Sequence, residues 1–147
     1  MTALLEKKLD FYIKNNLNVL FRGRHGIGKS SLILDAFKRN GIKFKYFSAA
    51  TMDPWVDFVG VPKEKVGADG TSYIELLKPK DITDGSIEAF FFDEFNRAPK
   101  KVRNAVMEIL QFKSINGTKL TNLRFVWGAI NPKEDENLKF DVESLDP

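Results

Sequence analysis

The sequence predicts an α/β fold in which helices cover both faces of a mostly parallel sheet. Short apolar runs alternate along the chain with stretches of helical periodicity, which is the order typical of parallel sheets. A glycine-rich loop follows the first apolar run and leads into a helix. Residues 89–92 form a continuous apolar run that ends in two carboxylates, and such a run indicates a central strand buried on both faces.

The first half of the chain contains two predicted helices and two predicted strands. Residues 3–15 carry apolar side chains at helical spacing, and we expect this helix to pack beside the glycine-rich loop. The second helix begins near Lys29 and stops at Asn40-Gly41, because a glycine after the last helical turn is a common stop signal. The two strands cover residues 18–22 and 42–47.

The second half of the chain alternates in the same way. Residues 48–60 are expected to form a short helix with a loop, whereas residues 63–66 and 71–77 alternate around a glycine-containing turn and predict a β-hairpin. A helix over residues 99–112 follows the central strand, because its apolar residues recur at helical spacing. Residues 123–130 predict another strand, which leads into a polar tail.

Composition limits the class of protein. A chain of 147 residues with 43% hydrophobic residues can bury one core, so we predict one domain over residues 1–147. No apolar run approaches the roughly 18 residues of a membrane span, and we expect a soluble protein. The chain has no cysteine and one histidine, which excludes disulfides and zinc sites and favours the cytoplasm. The net charge of +3 is spread along the chain, so a dedicated nucleic-acid surface is possible but not favoured.

The glycine-rich loop has the complete pattern G-x-x-x-x-G-K-[ST]. In this pattern the backbone N–H groups wrap phosphate oxygens at the positive end of a helix. Lys29 would reach the β- and γ-phosphates, and the hydroxyl of Ser30 would bind Mg²⁺. We therefore predict binding of a nucleoside triphosphate. The predicted nucleotide-binding residues are Gly23, Arg24, His25, Gly26, Ile27, Gly28, Lys29, Ser30 and Ser31.

Three polar residues follow two later strands and would meet the loop at the same edge of the sheet. Asp93 fits the carboxylate that supports the magnesium ion. Glu94 is placed to orient or deprotonate the water that attacks the γ-phosphate. Asn131 follows the last predicted strand and would hold that water or sense the γ-phosphate, although an Asn-Pro pair also forms ordinary turns. The predicted catalytic residues are thus Glu94, Asn131 and Lys29, and the predicted metal ligands are Ser30 and Asp93.

Two segments carry a resemblance to a known family. Residues 93–99, with the helix that follows them, and residues 128–132 resemble the MoxR and dynein-related branch of AAA+ ATPases, and the likeness extends over nearly the whole chain. The resemblance implies that Asp93-Glu94 is the Walker B pair and that Asn131 is sensor 1. It also implies ATP as the nucleotide, a ring that is commonly hexameric, and a hairpin insertion at residues 61–77 that faces a substrate or partner. Residues 96–98 would then lie near a subunit boundary.

The chain departs from this family after Pro147. Family members continue there into the arginine finger, a fifth core strand and a helical lid that bears sensor 2. The resemblance therefore predicts a shortened nucleotide-binding core, in which the first strand lies at an edge because one strand of the sheet order 5-1-4-3-2 is missing. An exposed edge invites pairing with another chain. The sequence therefore predicts that this core binds nucleotide, whereas hydrolysis of the nucleotide by the shortened core stays an open question.

The leading hypothesis is an ATP-hydrolysing AAA+ core that remodels a protein partner. Three alternatives stay open on the residues alone. The first is an ATPase or loader that has the same core and acts on nucleic acid. The second is a small-molecule kinase, which has the same phosphate loop. The third is a shortened chain that binds nucleotide without turnover.

Overall fold

The computed structural model describes residues 2–23, 28–53, 60–131 and 141–144, the last four by their backbone alone. Four helices and a single turn of 3-10 helix occur in this part of the chain: α1 (Thr2–Lys14), α2 (Lys29–Arg39), α3 (Lys80–Thr83), the 3-10 turn (Phe95–Arg97) and α4 (Lys100–Phe112). Nine strands occur there as well: β1 (Val19–Arg22), β2 (Phe44–Ser48), β3 (Val61–Val66), β4 (Ser72–Leu77), β5 (Ala89–Asp93), β6 (Ser114–Ile115), β7 (Thr118–Lys119), β8 (Phe125–Ile130) and β9 (Asp141–Ser144).

The main sheet has five strands in the order β2-β5-β8-β1-β9. The first four are mutually parallel, so their carboxyl ends lie at one edge. The register places Ser48 beside Asp93 and Arg22 beside Ile130. This register brings the loop after β1, the acidic pair after β5 and the residue after β8 to the same edge, as the sequence predicts.

The prediction that β1 lies at an edge is wrong. β9 pairs with β1 in the antiparallel direction, and Arg22 lies opposite Asp141. A parallel strand in this place would need a crossover of a dozen or more residues from one end of the sheet to the other. β8 ends and β9 begins at the same end of the sheet, where the parallel strands have their carboxyl ends. A strand that returns in the antiparallel direction therefore needs no such crossover. The polar sequence of β9 gave no sign of this pairing.

Two hydrophobic clusters cover the two faces of the sheet, which confirms the predicted α/β/α arrangement. Successive residues of β5 belong to opposite clusters, because successive side chains of a strand point to opposite faces of the sheet. Phe91 packs with α1 and α2 in one cluster, and Phe90 and Phe92 pack with α4 in the other. Trp127 is fully buried, and its ring nitrogen donates a hydrogen bond to the carbonyl of Leu17 at 2.9 Å.

The other predicted elements agree with the structure in part. The β-hairpin is confirmed as β3 and β4, which form a separate two-stranded sheet. Within residues 48–60, β2 ends at Ser48 and residues 49–51 form a turn, while residues 54–59 lie outside the described part, so the short helix expected in this span stays a prediction. Asp10 of α1 accepts hydrogen bonds from Arg39 and Asn40 at the C-terminal end of α2, and packing of α1 beside the glycine-rich loop stays a prediction because residues 24–27 lie outside the described part.

The helices of the described residues were also compared with the length of a bilayer. None of them is both long and apolar enough to span a membrane.

Candidate functional site

The candidate site begins at the N-terminus of α2, where Gly28 is the residue before the first helical turn. Gly28 has a φ of +77° and no side chain caps this end of the helix. The first N–H groups of a helix have no partner within it, so this end can bind an anion. The loop residues Arg24, His25, Gly26 and Ile27 lie outside the described residues, and Ser31 lies exposed in the first turn.

Lys29 points back across the edge of the sheet and is 6% exposed. Its ammonium group donates hydrogen bonds to the carbonyl oxygens of Gly23 at 2.8 Å and Ile130 at 2.9 Å, and to Oδ1 of Asn131. These three acceptors use all three N–H donors of the ammonium group. Burial lowers the pKa of Lys29, while the nearby carboxylates of Asp93 and Glu94 oppose that shift.

Ser30 is in direct contact with the first carboxylate of the acidic pair. Its hydroxyl donates a hydrogen bond to Oδ2 of Asp93 at 2.7 Å. The hydroxyl of Tyr46 donates a second hydrogen bond to the same oxygen at 2.9 Å. Burial, followed by the hydrogen bond to Asp93, raises the pKa of Tyr46 to about 12, so the phenol is the proton donor at neutral pH.

Glu94 lies half-buried in a left-handed backbone conformation, with a φ of +54°. Such a conformation is unfavourable for a residue with a Cβ atom and is concentrated at functional sites. It turns the backbone N–H of Glu94 toward Oδ1 of Asp93, which accepts it at 2.9 Å. The turn therefore places two acidic residues in succession at the carboxyl end of β5.

Asn131 is held from two sides. Its side chain accepts a hydrogen bond from Lys29, and its backbone exchanges two hydrogen bonds with Asn96. The amide of Asn96 donates to the carbonyl of Asn131 at 2.9 Å, and its Oδ1 accepts the N–H of Asn131 at 3.3 Å. The 3-10 turn after the acidic pair is thus fastened to the end of β8.

The donor set fits a magnesium ion. Mg²⁺ is bound in proteins through one or two carboxylates, phosphate oxygens and waters rather than by a cage of side chains. Ser30 and Asp93 supply one hydroxyl and one carboxylate at hydrogen-bond distance from each other. Among the described residues no group of three or more His, Cys, Asp or Glu side chains gathers as a metal cluster.

Tyr46 and Asn96 are site residues whose contacts the sequence analysis missed. The period-two pattern of β2 places Tyr46 on the same face as the residue paired with Asp93, and this was the available signal. Asn96 belongs to the segment that the family resemblance places at a subunit boundary. Within this chain it contacts the residue after β8.

The fold was compared with known proteins. No protein-family model and no curated protein sequence matches the chain. Among solved structures, the chain is similar to a presumed ATPase from Cytophaga hutchinsonii, with a TM-score of 0.51 and 20% identity over 91% of this chain. It is also similar to NtrX from Brucella abortus, with a TM-score of 0.55 and 13% identity over 90% of this chain, and to the same protein in complex with ADP, with a TM-score of 0.57 and 16% identity.

These similarities define the fold. The chain has an α/β fold, with helices on both faces of a largely parallel sheet, that is similar to the fold of these two proteins. It spans 39% of the length of the Cytophaga protein, and 31% and 30% of the two NtrX chains. At these levels of identity the likeness extends to the fold alone.

Proposed function

We propose that this chain binds ATP together with Mg²⁺ at the carboxyl edge of its sheet, and that Glu94 and Asn131 serve in hydrolysis of the γ-phosphate. The observation that carries the proposal is one set of contacts: Ser30 is hydrogen-bonded to Asp93, while Lys29 is hydrogen-bonded to Asn131. Residues from three separate elements thus meet beside the N-terminus of a helix, which is where phosphate binds in this fold. The ADP complex of NtrX supports a nucleotide as the ligand of such a fold.

Phosphate would be held by the backbone N–H groups at the start of α2 and by Lys29. Because the ammonium group already donates to three oxygens, phosphate oxygens must replace at least one of them. The two carbonyl acceptors are neutral, whereas a phosphate oxygen carries negative charge and forms the stronger hydrogen bond. Lys29 would therefore leave one of its present partners when nucleotide enters.

Ser30 and Asp93 would hold the magnesium ion, with Ser30 as a direct ligand and Asp93 accepting a hydrogen bond from the Ser30 hydroxyl or from a bound water. The chemistry that a bound Mg²⁺ would supply here is neutralisation of the charge that develops on the phosphate oxygens. Glu94 would orient or deprotonate the attacking water, and Asn131 would hold that water through its amide. Asn131 also contacts Lys29, so the same side chain can respond to the presence of the γ-phosphate.

The finer part of the proposal is the family role. We infer that residues 1–147 are one AAA+ core of a MoxR-like ATPase that remodels a protein partner in the cytoplasm and works in a ring. The β3–β4 hairpin supports a partner-facing role because it exposes large apolar side chains, which are otherwise costly in water. The most exposed of these are Val66 at 68% and Ile74 at 74%.

Calorimetric titration with ATP and ADP, with and without Mg²⁺, tests nucleotide binding. Lys29→Ala should lose binding at least about tenfold, because a charged hydrogen bond to phosphate is worth roughly 1.5–3 kcal/mol. Lys38→Ala is the matched control, since Lys38 lies exposed in the last turn of the same helix. Unchanged affinity in Lys29→Ala, or an equal loss in Lys38→Ala, would contradict the phosphate-loop assignment.

Glu94→Gln tests the hydrolytic role separately. This variant keeps the size of the side chain and removes the base, so it should retain ATP binding and lose phosphate release. A variant as fast as the parent would exclude Glu94 from the mechanism. Transfer of phosphate to an added small-molecule acceptor would favour a kinase, and salt-dependent binding to DNA would favour a nucleic-acid ATPase.

A further inference from the structure

Asp93 is oriented by three hydrogen bonds that come from three different parts of the chain. Its Oδ2 accepts the hydroxyls of Ser30 and Tyr46, and its Oδ1 accepts the backbone N–H of Glu94. A carboxylate has about four lone-pair sites, and these three donors already occupy three of them. Of these three bonds, the one from Ser30 comes from the helix that follows the phosphate loop.

Tyr46 reaches Asp93 because of the register between β2 and β5. Tyr46 lies beside Phe91, and Ser48 lies beside Asp93, so Tyr46 stands two residues earlier along the same face. The tyrosine ring is long enough to cover that distance along the strand. It packs on Phe91 with ring centroids 5.6 Å apart, and this contact fixes the direction of the hydroxyl.

We propose that Tyr46 is a positioning residue for the magnesium site, and that its hydroxyl holds the Asp93 carboxylate in the orientation that accepts Ser30 and a metal-bound water. The inference rests on the proposed function, because it requires Mg²⁺ with a nucleotide at Ser30 and Asp93. Mg²⁺ demands nearly ideal octahedral geometry and keeps several of its waters. A carboxylate that accepts a hydrogen bond from such a water must therefore keep one orientation. The Tyr46 hydroxyl, a second donor that comes from β2, supplies that restraint.

A structural role for Tyr46 makes a different prediction. Its side chain is 43% exposed at the edge strand, and its ring covers Phe91. If the ring alone matters, removal of the hydroxyl leaves metal dependence unchanged. Tyr46→Phe separates the two roles because it keeps the ring and removes only the donor to Asp93.

The test compares the dissociation constant of ADP in EDTA with that in saturating Mg²⁺, by calorimetry. The ratio of the two constants measures the contribution of the metal and does not depend on turnover. Tyr46→Phe should bind ADP in EDTA as the parent does, and its ratio should fall about tenfold, at the lower end of the 10- to 100-fold loss typical of residues that orient metal ligands. Tyr12→Phe on α1 is the matched control, because it loses the hydroxyl of another partly exposed tyrosine on a different element, and its ratio should equal that of the parent.

A double-mutant cycle then shows whether Tyr46 acts through Asp93. Asp93→Asn should lower the ratio by itself, and Tyr46→Phe should change it no further in that background. Thermal unfolding of each variant sets a temperature at which all of them are folded. An unchanged ratio in Tyr46→Phe, an equal fall in Tyr12→Phe, or an undiminished effect in the Asp93→Asn background would overturn the proposal.

The outcomes also separate this inference from the proposed function. A parent chain that binds no nucleotide refutes both. A parent that binds ADP equally well with and without Mg²⁺ refutes the role of Tyr46 and leaves phosphate binding standing. If ADP binding to the parent depends strongly on Mg²⁺ and binding to Tyr46→Phe depends on it equally, only the role of Tyr46 is refuted.

Discussion

The pair of hydrogen bonds between Asn96 and Asn131 gives a prediction for stability and catalysis together. Asn96→Ala removes a donor at 2.9 Å from the Asn131 carbonyl and an acceptor at 3.3 Å from the Asn131 N–H. A hydrogen bond contributes about 0.5–1.5 kcal/mol net, and Asn96 is exposed, so each bond belongs at the lower end of that range. We expect Asn96→Ala to lower the free energy of unfolding by about 1 kcal/mol, measured by urea unfolding.

The same substitution should slow ATP hydrolysis. Asn131 would lose the restraint on its backbone while its side chain keeps the contact with Lys29. If the whole of about 1 kcal/mol is lost from the transition state, the rate falls about fivefold, and the affinity for ATP changes much less. Steady-state phosphate release and calorimetry measure the two quantities.

Asn122→Ala is the control for this prediction. Asn122 is also exposed, and it donates one hydrogen bond to the carbonyl of Gly85 at 2.5 Å, at a distance from the candidate site. Because it loses one hydrogen bond instead of two, it should lower stability by about half as much, about 0.5 kcal/mol, and leave hydrolysis unchanged. If Asn96→Ala slows hydrolysis no more than Asn122→Ala does, Asn96 has no role beyond stability and the reasoning fails.

Three further predictions concern the scaffold. Hydrogen bonds from Ser114, Gly117 and Asn116 outweigh burial and hold the pKa of Glu108 below its ordinary 4.5. Glu108→Ala should therefore cost about 2 kcal/mol at pH 7. Because the folded state favours the carboxylate, this difference should shrink as the pH falls through that lowered pKa, and a pH-independent difference in urea unfolding would contradict it. Gly28→Ala should lower stability by roughly 1–2 kcal/mol because alanine is strained at a positive φ. No steric clash adds to this cost, because an added Cβ meets no atom of the described residues within 4 Å. A thermal unfolding temperature equal to that of the parent would refute this prediction. Phe37 is fully buried against four aromatic rings, so Phe37→Ala should cost about 3–5 kcal/mol, and a loss below about 1 kcal/mol would show that the core closes around the cavity.

Much of the fold could be predicted because its signals are local. The apolar run before Asp93 indicates a central strand, and the spacing of apolar residues indicates α2 and α4. The topology rule for parallel strands then predicts that Lys29, Asp93 and Asn131 converge. Their contacts in the structure follow from that rule and from the register of β1, β5 and β8.

The remaining features depend on tertiary structure. The strand β9 forms because β1 offers an open edge, and its own residues carry no apolar pattern. The contact of Tyr46 with Asp93 depends on the register of two strands and on the length of a side chain. The small hairpin of β6 and β7 is an exception with a local signal, because the dipeptide Asn116-Gly117 is typical of tight hairpin turns.

The balance of charge at the candidate site explains why a metal ion is expected there. Among the described residues that meet at this edge, Lys29 supplies a buried cation, whereas Asp93 and Glu94 supply two carboxylates. A nucleotide adds several negative charges beside those carboxylates, and their repulsion is strong where water is partly excluded. One ammonium group cannot balance this charge, and a divalent cation between Asp93 and the phosphates would. Tyr46 and Ser30 both donate hydrogen bonds to Asp93, so they orient the carboxylate that would face such a cation.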